Sequence, residues 1–446
     1  MKTKILFLSI VIVSLTLSGC LKKKPKAVPQ IPLEVWGIFD DSDVYSNINT
    51  AFENANPYVS KVKYRKIVDR NIKEFEKTLT NALANGTGPD IIYFKSSWLP
   101  KHGDKIAPMP NSQDALAGFK KTFVDVAYHD FVYKNNIFAK PLYCDTLALY
   151  YNSNLLNQAG IVGPPATWDE LKKDTKLLTK IDKFGNIKQS AIALGRSKTP
   201  GAVNRAGDIV MLMMMQGGAT MNLNDTLQAE FNKSDQDRSD PGVIALNFFT
   251  AFANSATPLY TWNTKMPYST DAFRYGQTAM MINYSYWYDR LKKADPKLDF
   301  NIAPVPQPGP NKAVNYASYW GLAVVKNKPI PTNGGYNNED RIREAWRYVN
   351  FVTNQPTQGS IDATAEYLTK THKPAARRDL VEKQKNDPVL GAFAEQALTA
   401  KSWRQVDNLA IDEIFVDMID AVNRGAMSIS ESINNAEARI DALVRK

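Results

Sequence analysis

The chain has 446 residues, 44% of them hydrophobic and 22% charged, which excludes a largely disordered protein and predicts two or three lobes. The formal net charge is +10, but beyond the N-terminal segment basic residues are interspersed with acidic ones, which excludes a nucleic-acid-binding face. The three histidines lie far apart without ligand spacing, so neither a metal site nor a metal cofactor is expected.

The first residues have the pattern of a bacterial export signal. Lys2 and Lys4 precede an apolar stretch, which predicts a signal peptide over residues 1–19. Leu17-Ser18-Gly19-Cys20 resembles the lipobox, so Cys20 is predicted to be lipidated; the alternative is an ordinary secretory signal with an incidental cysteine. Residues 20–31 would then be a basic tether suited to anionic lipid headgroups. No later segment has about 20 unbroken apolar residues, so the chain is predicted to be anchored outside the cell membrane and not to span it.

The first part of the mature chain alternates between strand and helix patterns. The pattern predicts a strand over 33–39, a helix ending at 56, a strand over 59–68, a helix over 72–83 and a strand over 91–94. This order predicts a parallel sheet with covering helices, which bind ligands beyond the carboxyl ends of the strands. The residues at those ends are Trp36, Asp40, Asp41, Ser97 and Trp98, which we therefore take as candidate ligand contacts, with aromatic core packing as the alternative for the two tryptophans.

A second alternating region begins near residue 141. A strand is predicted over 147–151, and Thr167 with Glu170 forms a capping box at the start of a helix. Residues 279–282 are a flat apolar run of strand length, so they are predicted to be buried sheet. Ser285 could cap the helix that follows, which would place Tyr284 and Tyr286 at a strand-to-helix loop.

The motifs of common enzyme classes are absent from the sequence. There is no phosphate-binding loop, no G-x-S-x-G elbow and no H-E-x-x-H pair. Asp40 and Asp41 are paired carboxylates that could serve a glycosidase, but two adjacent acids among 45 are weak support. With Cys20 acylated, Cys144 would have no partner for an intramolecular disulfide. The chain is therefore predicted not to be an enzyme and to carry no cofactor.

Several motifs in order resemble the extracellular solute-binding proteins of ABC importers, in particular the sugar-binding group that includes maltose-binding protein. They are Gly88-Pro89-Asp90, Lys140-Pro141, Leu147 with Tyr151-Asn152, Pro165-Ala166-Thr167-Trp168-Asp169-Glu170-Leu171, Gly217-Gly218 with Phe231-Asn232, Phe273 with Gly276, Ala279 and Met280, Ala303-Pro304-Val305-Pro306, and the helix over 344–355. The resemblance covers nearly the whole mature chain.

This resemblance implies an α/β fold of two lobes, the type II periplasmic-binding-protein fold, with hinge strands between the lobes and the ligand cleft between them. It assigns residues 32–143 and 304–332 to the N-terminal lobe, and 147–300 and 340–446 to the C-terminal lobe. The chain is expected to cross between the lobes near 143–146, near 301–304 and between about 329 and 341. The protein is expected to be a monomer.

The resemblance also implies site residues. Asp145 occupies the position of a family carboxylate that accepts sugar hydroxyls, with capping of a hinge strand as its alternative role. Tyr286 stands where relatives carry a stacking tryptophan and Tyr284 where they carry glycine, so either Tyr286 or Trp287 could form the platform. Tyr319 and Trp320 stand where relatives commonly carry a glycine pair. Core packing is the alternative for each of these aromatic residues.

The implied function is a lipid-anchored receptor that binds a mono- or oligosaccharide by lobe closure and passes it to the permease subunits of an ABC transporter. One alternative is the same fold with another solute, such as a polyol, glycerol phosphate, a polyamine or a peptide. The other alternative is an envelope enzyme that acts on glycans.

Overall fold

The structure is a computed structural model that describes residues 30–67, 71–223, 226–233, 240–310 and 313–445. The predicted signal peptide and the predicted lipidation site at Cys20 lie outside the described residues, as does most of the tether. Within the described ranges, no helix has both the length and the apolarity needed to cross a membrane.

The strands are short and alternate with helices along the chain. They are β1 Ile31–Gly37, β2 Val59–Lys66, β3 Ile91–Lys95, β4 Ile106–Ala107, β5 Val132–Tyr133, β6 Asn136–Ile137, β7 Ala139–Pro141, β8 Ala148–Tyr151, β9 Lys180–Ile181, β10 Ile187–Ile192, β11 Thr278–Asn283, β12 Asn301–Pro304, β13 Asn315–Tyr316, β14 Trp320–Val325 and β15 Ala400–Lys401. The helices are α1 Ser42–Ala55, α2 Ile72–Ala84, α3 Leu99–His102, α4 Ser112–Thr122, α5 Asp125–Phe131, α6 Ser153–Gln158, α7 Trp168–Leu178, α8 Ala206–Gln216, α9 Pro241–Ala251, α10 Ser269–Arg274, α11 Tyr286–Ala294, α12 Asn338–Thr353, α13 Ala363–Thr371, α14 Arg378–Gln384, α15 Gly391–Ala397, α16 Asn408–Asn423 and α17 Ile429–Val444.

Two mixed sheets form the centres of two lobes. The first has the order β2-β1-β3-β14-β4, with β7 also paired to β14; β1 is parallel to β2 and β3, whereas β14 runs antiparallel to β3. The second has the order β12-β8-β11-β10-β9 and is parallel only between β10 and β11. The predicted strand-helix-strand-helix-strand order at the start of the chain is confirmed, as is its parallel pairing.

Each sheet lies in its own hydrophobic core, and the core residues show where the chain changes lobe. The first core contains residues up to Cys144, then Ala317 to Val325, then side chains from Ala345 to Ala400. The second contains Leu147 to Tyr316, and later side chains from Trp403 to Ile440, with Phe393 between. The crossings therefore lie at 144–147, 316–317 and 400–403.

These crossings differ in part from the sequence-based expectation. The first matches the expected position, but β12, at the second expected crossing, is hydrogen-bonded to β8 inside the second sheet. The third expected crossing, at 329–341, is also displaced, because α12 packs on β14 and α13, both of them in the first lobe. Residues 345–400 thus belong mainly to the first lobe, whereas the sequence analysis placed them in the second. The helix pattern of this segment identifies an apolar face but not the core that the face joins.

Candidate ligand-binding cleft

A cavity of about 390 Å³ lies between the two lobes. First-lobe side chains line one wall, namely Phe39, Ile72, Lys95, Tyr143, Ser318, Trp320, Thr371, His372 and Lys373. Second-lobe side chains line the other, namely Asn204, Arg205, Tyr284, Ser285, Tyr286, Trp287, Asp289 and Arg290, and Asp145 stands at the crossing between them. A ligand in this cavity would touch both lobes.

The three crossings are hydrogen-bonded to one another beside this cavity. The backbone N–H of Leu147 donates to the carbonyl of Tyr316 at 3.2 Å, and that of Ala317 donates to the carbonyl of Lys401 at 3.0 Å. The N–H of Ser318 donates to the carbonyl of Asp145, also at 3.0 Å. These bonds join the crossings into one hinge, about which a rotation of the lobes would open or close the cleft.

The second-lobe wall is positioned by β11 and α11. All six residues of β11 are buried, as predicted for 279–282, so the strand holds the start of α11 at the cleft. The Tyr284 hydroxyl donates to Asp208 Oδ2 at 2.8 Å, and Trp287 Nε1 donates to Asn204 Oδ1 at 3.2 Å. Tyr286 and Trp287 remain partly exposed, and the Arg290 guanidinium lies 4.6 Å and 5.2 Å from their ring centroids.

Asp145 is held in place by the start of α11. Its side chain is buried at 4% exposure and accepts hydrogen bonds from the Ser285 N–H at 3.1 Å and the Ser285 hydroxyl at 2.9 Å. Burial raises the pKa of this carboxyl to about 7. Ser285 is the N-cap residue of α11, but its hydroxyl serves Asp145 and not the free helix amides, which differs from the expected capping role.

Trp320 and Lys95 lie on the first-lobe wall. The Trp320 ring meets Phe39 edge to face with centroids 5.5 Å apart. Lys95 ends β3, and its Nζ lies 3.2 Å from Ser318 Oγ. The Lys373 ammonium lies 4.7 Å from the centroid of the Tyr143 ring. This wall therefore combines apolar surface with hydrogen-bond donors.

Five of the predicted site residues lie in the cleft: Asp145, Tyr284, Tyr286, Trp287 and Trp320. Their contact with a ligand stays a prediction. Three other predicted contacts are core residues of the first lobe. Trp36 is buried in β1, the Tyr319 hydroxyl donates to Asp130 Oδ2 at 2.7 Å, and the fully buried Trp98 packs among Phe75, Phe94 and Trp320.

The polar residues predicted at the strand ends do not line the cavity. Asp40 is buried and accepts hydrogen bonds from the hydroxyls of Tyr93 and Tyr367 and from Lys373. Asp41 is exposed and pairs with Lys66 at 3.0 Å. Ser97 lies 3.5 Å from the Lys95 ammonium but does not line the cavity. The rule of strand ends identifies an edge of the sheet, but it does not give the direction of each side chain.

Several cleft residues were missed by the sequence analysis. Lys95 ends β3, so the rule of strand ends could have included it. Arg205 precedes the Met-rich helix α8 and is not part of any motif that the sequence analysis used. His372 and Lys373 follow α13 and reach the cleft only because that helix packs in the first lobe. No local pattern marks them.

Polar contacts between side chains also join the two lobes. The Lys101 ammonium lies 2.7 Å from Asp407 Oδ2, and Trp98 Nε1 donates to Asn408 Oδ1 at 3.0 Å. His372 Nδ1 lies 2.9 Å from Asp289 Oδ1. Because each contact pairs a first-lobe residue with a second-lobe residue, it exists only while the lobes are this close.

The His372–Asp289 contact is expected to make lobe closure depend on pH. The hydrogen bond to Asp289 raises the pKa of His372, with a smaller contribution from Asp387. The pair is then complete below the ordinary histidine pKa of about 6.5 and is lost as the pH rises through the raised value. Both groups are well exposed, so the pair contributes at most about 1 kcal/mol to closure.

The measurement is the distance between fluorophores on the two lobes of the unliganded protein, between pH 5.5 and 9. The closed fraction should fall with rising pH. Both His372→Gln and Asp289→Asn should flatten the profile. An unchanged profile in either variant would show that another group is responsible.

In the described ranges, no group of three or more His, Cys, Asp or Glu side chains is arranged to hold a metal ion. Cys144 is a free, fully buried thiol whose pKa is raised by burial.

Comparison with known proteins identifies the family of this chain. The sequence profile of the bacterial extracellular solute-binding proteins matches residues 61–359. The maltotriose-binding protein of Pyrococcus abyssi is 24% identical over 81% of this chain and 74% of its own length. The maltodextrin-binding protein of Bacillus subtilis is 23% identical over 82% of this chain and 78% of its own length.

Solved structures show the same fold. A cyclo/maltodextrin-binding protein complexed with maltotetraose has a TM-score of 0.70 at 17% identity, over 95% of this chain and 99% of its own. The sugar-binding protein of Xanthomonas citri also has a TM-score of 0.70, at 18% identity over 93% and 98%. The two-lobed α/β fold that the resemblance implied is confirmed, and the chain belongs to the family of bacterial extracellular solute-binding proteins.

Proposed function

We propose that this protein binds a carbohydrate between its two lobes and delivers it to the permease of an ABC importer, and that lipidation of Cys20 holds it at the outer face of the cell membrane. The observation that carries the carbohydrate assignment is the composition of the cleft. Aromatic side chains stand on both walls, with Tyr286 and Trp287 opposite the Trp320 wall, and polar groups surround them.

This composition suits a sugar for a physical reason. A pyranose ring has apolar C–H faces, which aromatic rings cover, and a rim of hydroxyl groups, which need donors and acceptors in fixed directions. Asn204, Ser318 and Asp145 place both kinds of polar group around the cavity. A cavity of about 390 Å³ is within the range of small-molecule sites.

Delivery to a permease requires a difference between the empty and the loaded protein. A ligand favours the closed arrangement only to the extent that it binds that arrangement better than the open one. Contacts with both walls supply this difference, and the hinge formed by the three crossings permits the motion. Relatives named for maltotriose and maltodextrin support a carbohydrate as the ligand.

The test is thermal unfolding of the purified protein with a panel of mono- and oligosaccharides, polyols, polyamines and peptides. A saccharide that binds should raise the melting temperature as its concentration passes Kd, and it should be recovered unchanged. Stabilisation by a polyamine or peptide, with none by any saccharide, would overturn the carbohydrate assignment. Chemical conversion of the sugar would favour the envelope-enzyme alternative. Partition of the full-length protein from bacterial cells into detergent tests the lipid anchor.

Tyr286→Ala is expected to weaken carbohydrate binding about 10-fold while changing the free energy of unfolding by no more than about 1 kcal/mol. The ring is partly exposed on the cleft wall, so its removal takes away contact area without emptying the core. Titration calorimetry with the best saccharide of the panel measures the first effect and urea unfolding the second.

The matched control is Tyr275→Ala, since Tyr275 is 61% exposed at the end of α10 and does not line the cleft. A large loss of stability in Tyr286→Ala would identify the ring as core. Unchanged affinity would remove Tyr286 from the binding surface and leave Trp287 as the candidate platform.

A further inference from the structure

Two cationic side chains, Lys95 and Arg205, face the cleft from opposite lobes without a carboxylate partner among the described residues. On the first lobe, the Lys95 ammonium lies within hydrogen-bond distance of the Ser318 and Ser97 hydroxyls, at 3.2 Å and 3.5 Å. Among the described residues, no carboxylate oxygen lies within 4.0 Å of it. Burial lowers the pKa of Lys95, and the nearby charge of Arg205 lowers it further, against the opposing effect of Asp412 and Asp208.

Arg205 faces the same space from the second lobe. It lies at the N-cap of α8 with a left-handed φ of 61° and lines the cavity. Its Nε donates to the Tyr286 hydroxyl at 3.3 Å, and its guanidinium lies 5.7 Å from the Tyr284 ring centroid. That is its one hydrogen bond within the part of the chain that the structure describes. Most of its five N–H donors are therefore left for a ligand.

Two other basic side chains of the cleft have a carboxylate partner. Lys373 pairs with Asp40 at 2.7 Å, and His372 pairs with Asp289 at 2.9 Å. Arg290 lies over the Tyr286 and Trp287 rings. Lys373 and His372 therefore need no charge from a ligand.

Two acids lie near these cations. Asp208 and Asp412 influence Lys95 without forming an ion pair with it, and Asp208 accepts the Tyr284 hydroxyl. Lys95 and Arg205 line the same cavity from opposite walls, near enough for the charge of Arg205 to lower the pKa of Lys95. An anion between them would be attracted by both charges.

We infer that the carbohydrate carries an anionic group, a carboxylate or a phosphate, and that Lys95 and Arg205 bind this group from opposite lobes. The inference rests on the proposed carbohydrate-binding function and narrows it to acidic saccharides. A guanidinium fork and an ammonium are the side chains that bind such oxyanions with charge-assisted hydrogen bonds. A bridged anion would also add a contact that exists only in the closed arrangement, which is what lobe closure requires.

The test is titration calorimetry of the purified protein at pH 7.5 with matched acidic and neutral sugars. Glucuronate and glucose 6-phosphate are compared with glucose, and digalacturonate with its neutral methyl ester. At least one acidic sugar should bind 10-fold or more tighter than its neutral match, and the difference should shrink at high salt. The relative affinities of the carboxylate and phosphate ligands identify which oxyanion the cleft takes.

Two variants assign the effect to the named residues. Lys95→Gln and Arg205→Gln should each lose about 10- to 100-fold in affinity for the acidic sugar and less than about 3-fold for its neutral match. Lys176→Gln is the control, because it removes the same charge from an exposed position on α7, away from the cleft. Melting temperatures of all three variants identify any that fails to fold. If a variant fails to fold, the ratio of acidic to neutral affinity in the unaltered protein still tests the inference.

The outcomes separate this inference from the proposed function. Equal or tighter binding of the neutral sugars would overturn the inference and leave carbohydrate binding intact. Binding of inorganic phosphate or acetate as tight as that of the acidic sugars would overturn it as well, because the sugar would then contribute nothing. Absence of binding by every saccharide, acidic or neutral, would overturn the proposed function itself.

Discussion

Replacing Trp98 with alanine is expected to lower the free energy of unfolding by about 3–5 kcal/mol, the usual cost of emptying a fully buried aromatic site. Trp98 has 0% exposure and lies against Phe75, Phe94, His102 and Trp320, with ring centroids 5.1–6.2 Å away. Its removal would leave a cavity at the centre of the first lobe. Urea unfolding followed by circular dichroism measures the change.

Trp287→Ala provides the comparison, because Trp287 is a partly exposed tryptophan of the cleft wall. Compared with Trp98→Ala, Trp287→Ala should lower the free energy of unfolding much less and weaken ligand binding more. Trp98→Phe keeps most of the packing but removes the Nε1 donor to Asn408, so it isolates the contact between lobes. If Trp98→Ala weakened ligand binding with an unchanged unfolding midpoint, Trp98 would be a ligand contact as the strand-end rule predicted.

Replacing Asp90 with alanine is expected to cost about 3–5 kcal/mol, because it leaves a buried positive charge without its partner. Asp90 and Arg341 are each 1% exposed, and Arg341 Nη1 lies 3.3 Å from Asp90 Oδ1. The other carboxylate oxygen accepts from Lys328 Nζ at 2.9 Å and from the Glu34 N–H at 2.8 Å. These bonds connect β3, β1 and α12, so their loss should destabilise the whole first lobe.

The double variant Asp90→Ala with Arg341→Met distinguishes an unpaired charge from lost packing. If the cost arises from the unpaired Arg341 guanidinium, the double variant should recover part of the lost free energy of unfolding, as measured by urea unfolding. Purely additive losses in the two single variants would show that the pair does not couple. The exposed pair Arg65–Glu34 is the control, for which removal of Arg65 should change the free energy of unfolding by less than about 1 kcal/mol.

The motif that contains Asp90 was enough to help identify the family but not to predict the role of the residue. Gly88-Pro89-Asp90 helped to identify the family, yet nothing in the motif indicates that the carboxylate is buried against Arg341, 251 residues later. The motif marks the start of a strand, while the partner is set by the packing of α12 on the first sheet. Family membership was therefore easier to predict than the role of any one residue.

The same distinction applies to the cleft. Tyr284 and Tyr286 were predicted at a strand-to-helix junction, and β11 and α11 meet there. Lys95 and Arg205 were not predicted, because one only ends a strand and the other only precedes a helix. They face each other only because the lobes are folded over the hinge. Residues that belong to different lobes share a site without any spacing in the sequence that relates them.

By itself, the sequence determined the first three strands and the bounds of the helices between them to within about two residues, as well as the capping box of α7 and the membership of the family. These features depend on apolar periodicity and cap residues, which act over a few neighbouring positions. Only the tertiary structure decided where the chain makes its second and third crossings between the lobes, which core takes up α12, and that Lys95, Arg205, His372 and Lys373 line the cleft. Those outcomes depend on which apolar faces and buried charges meet across long stretches of chain, and no local pattern carries that information.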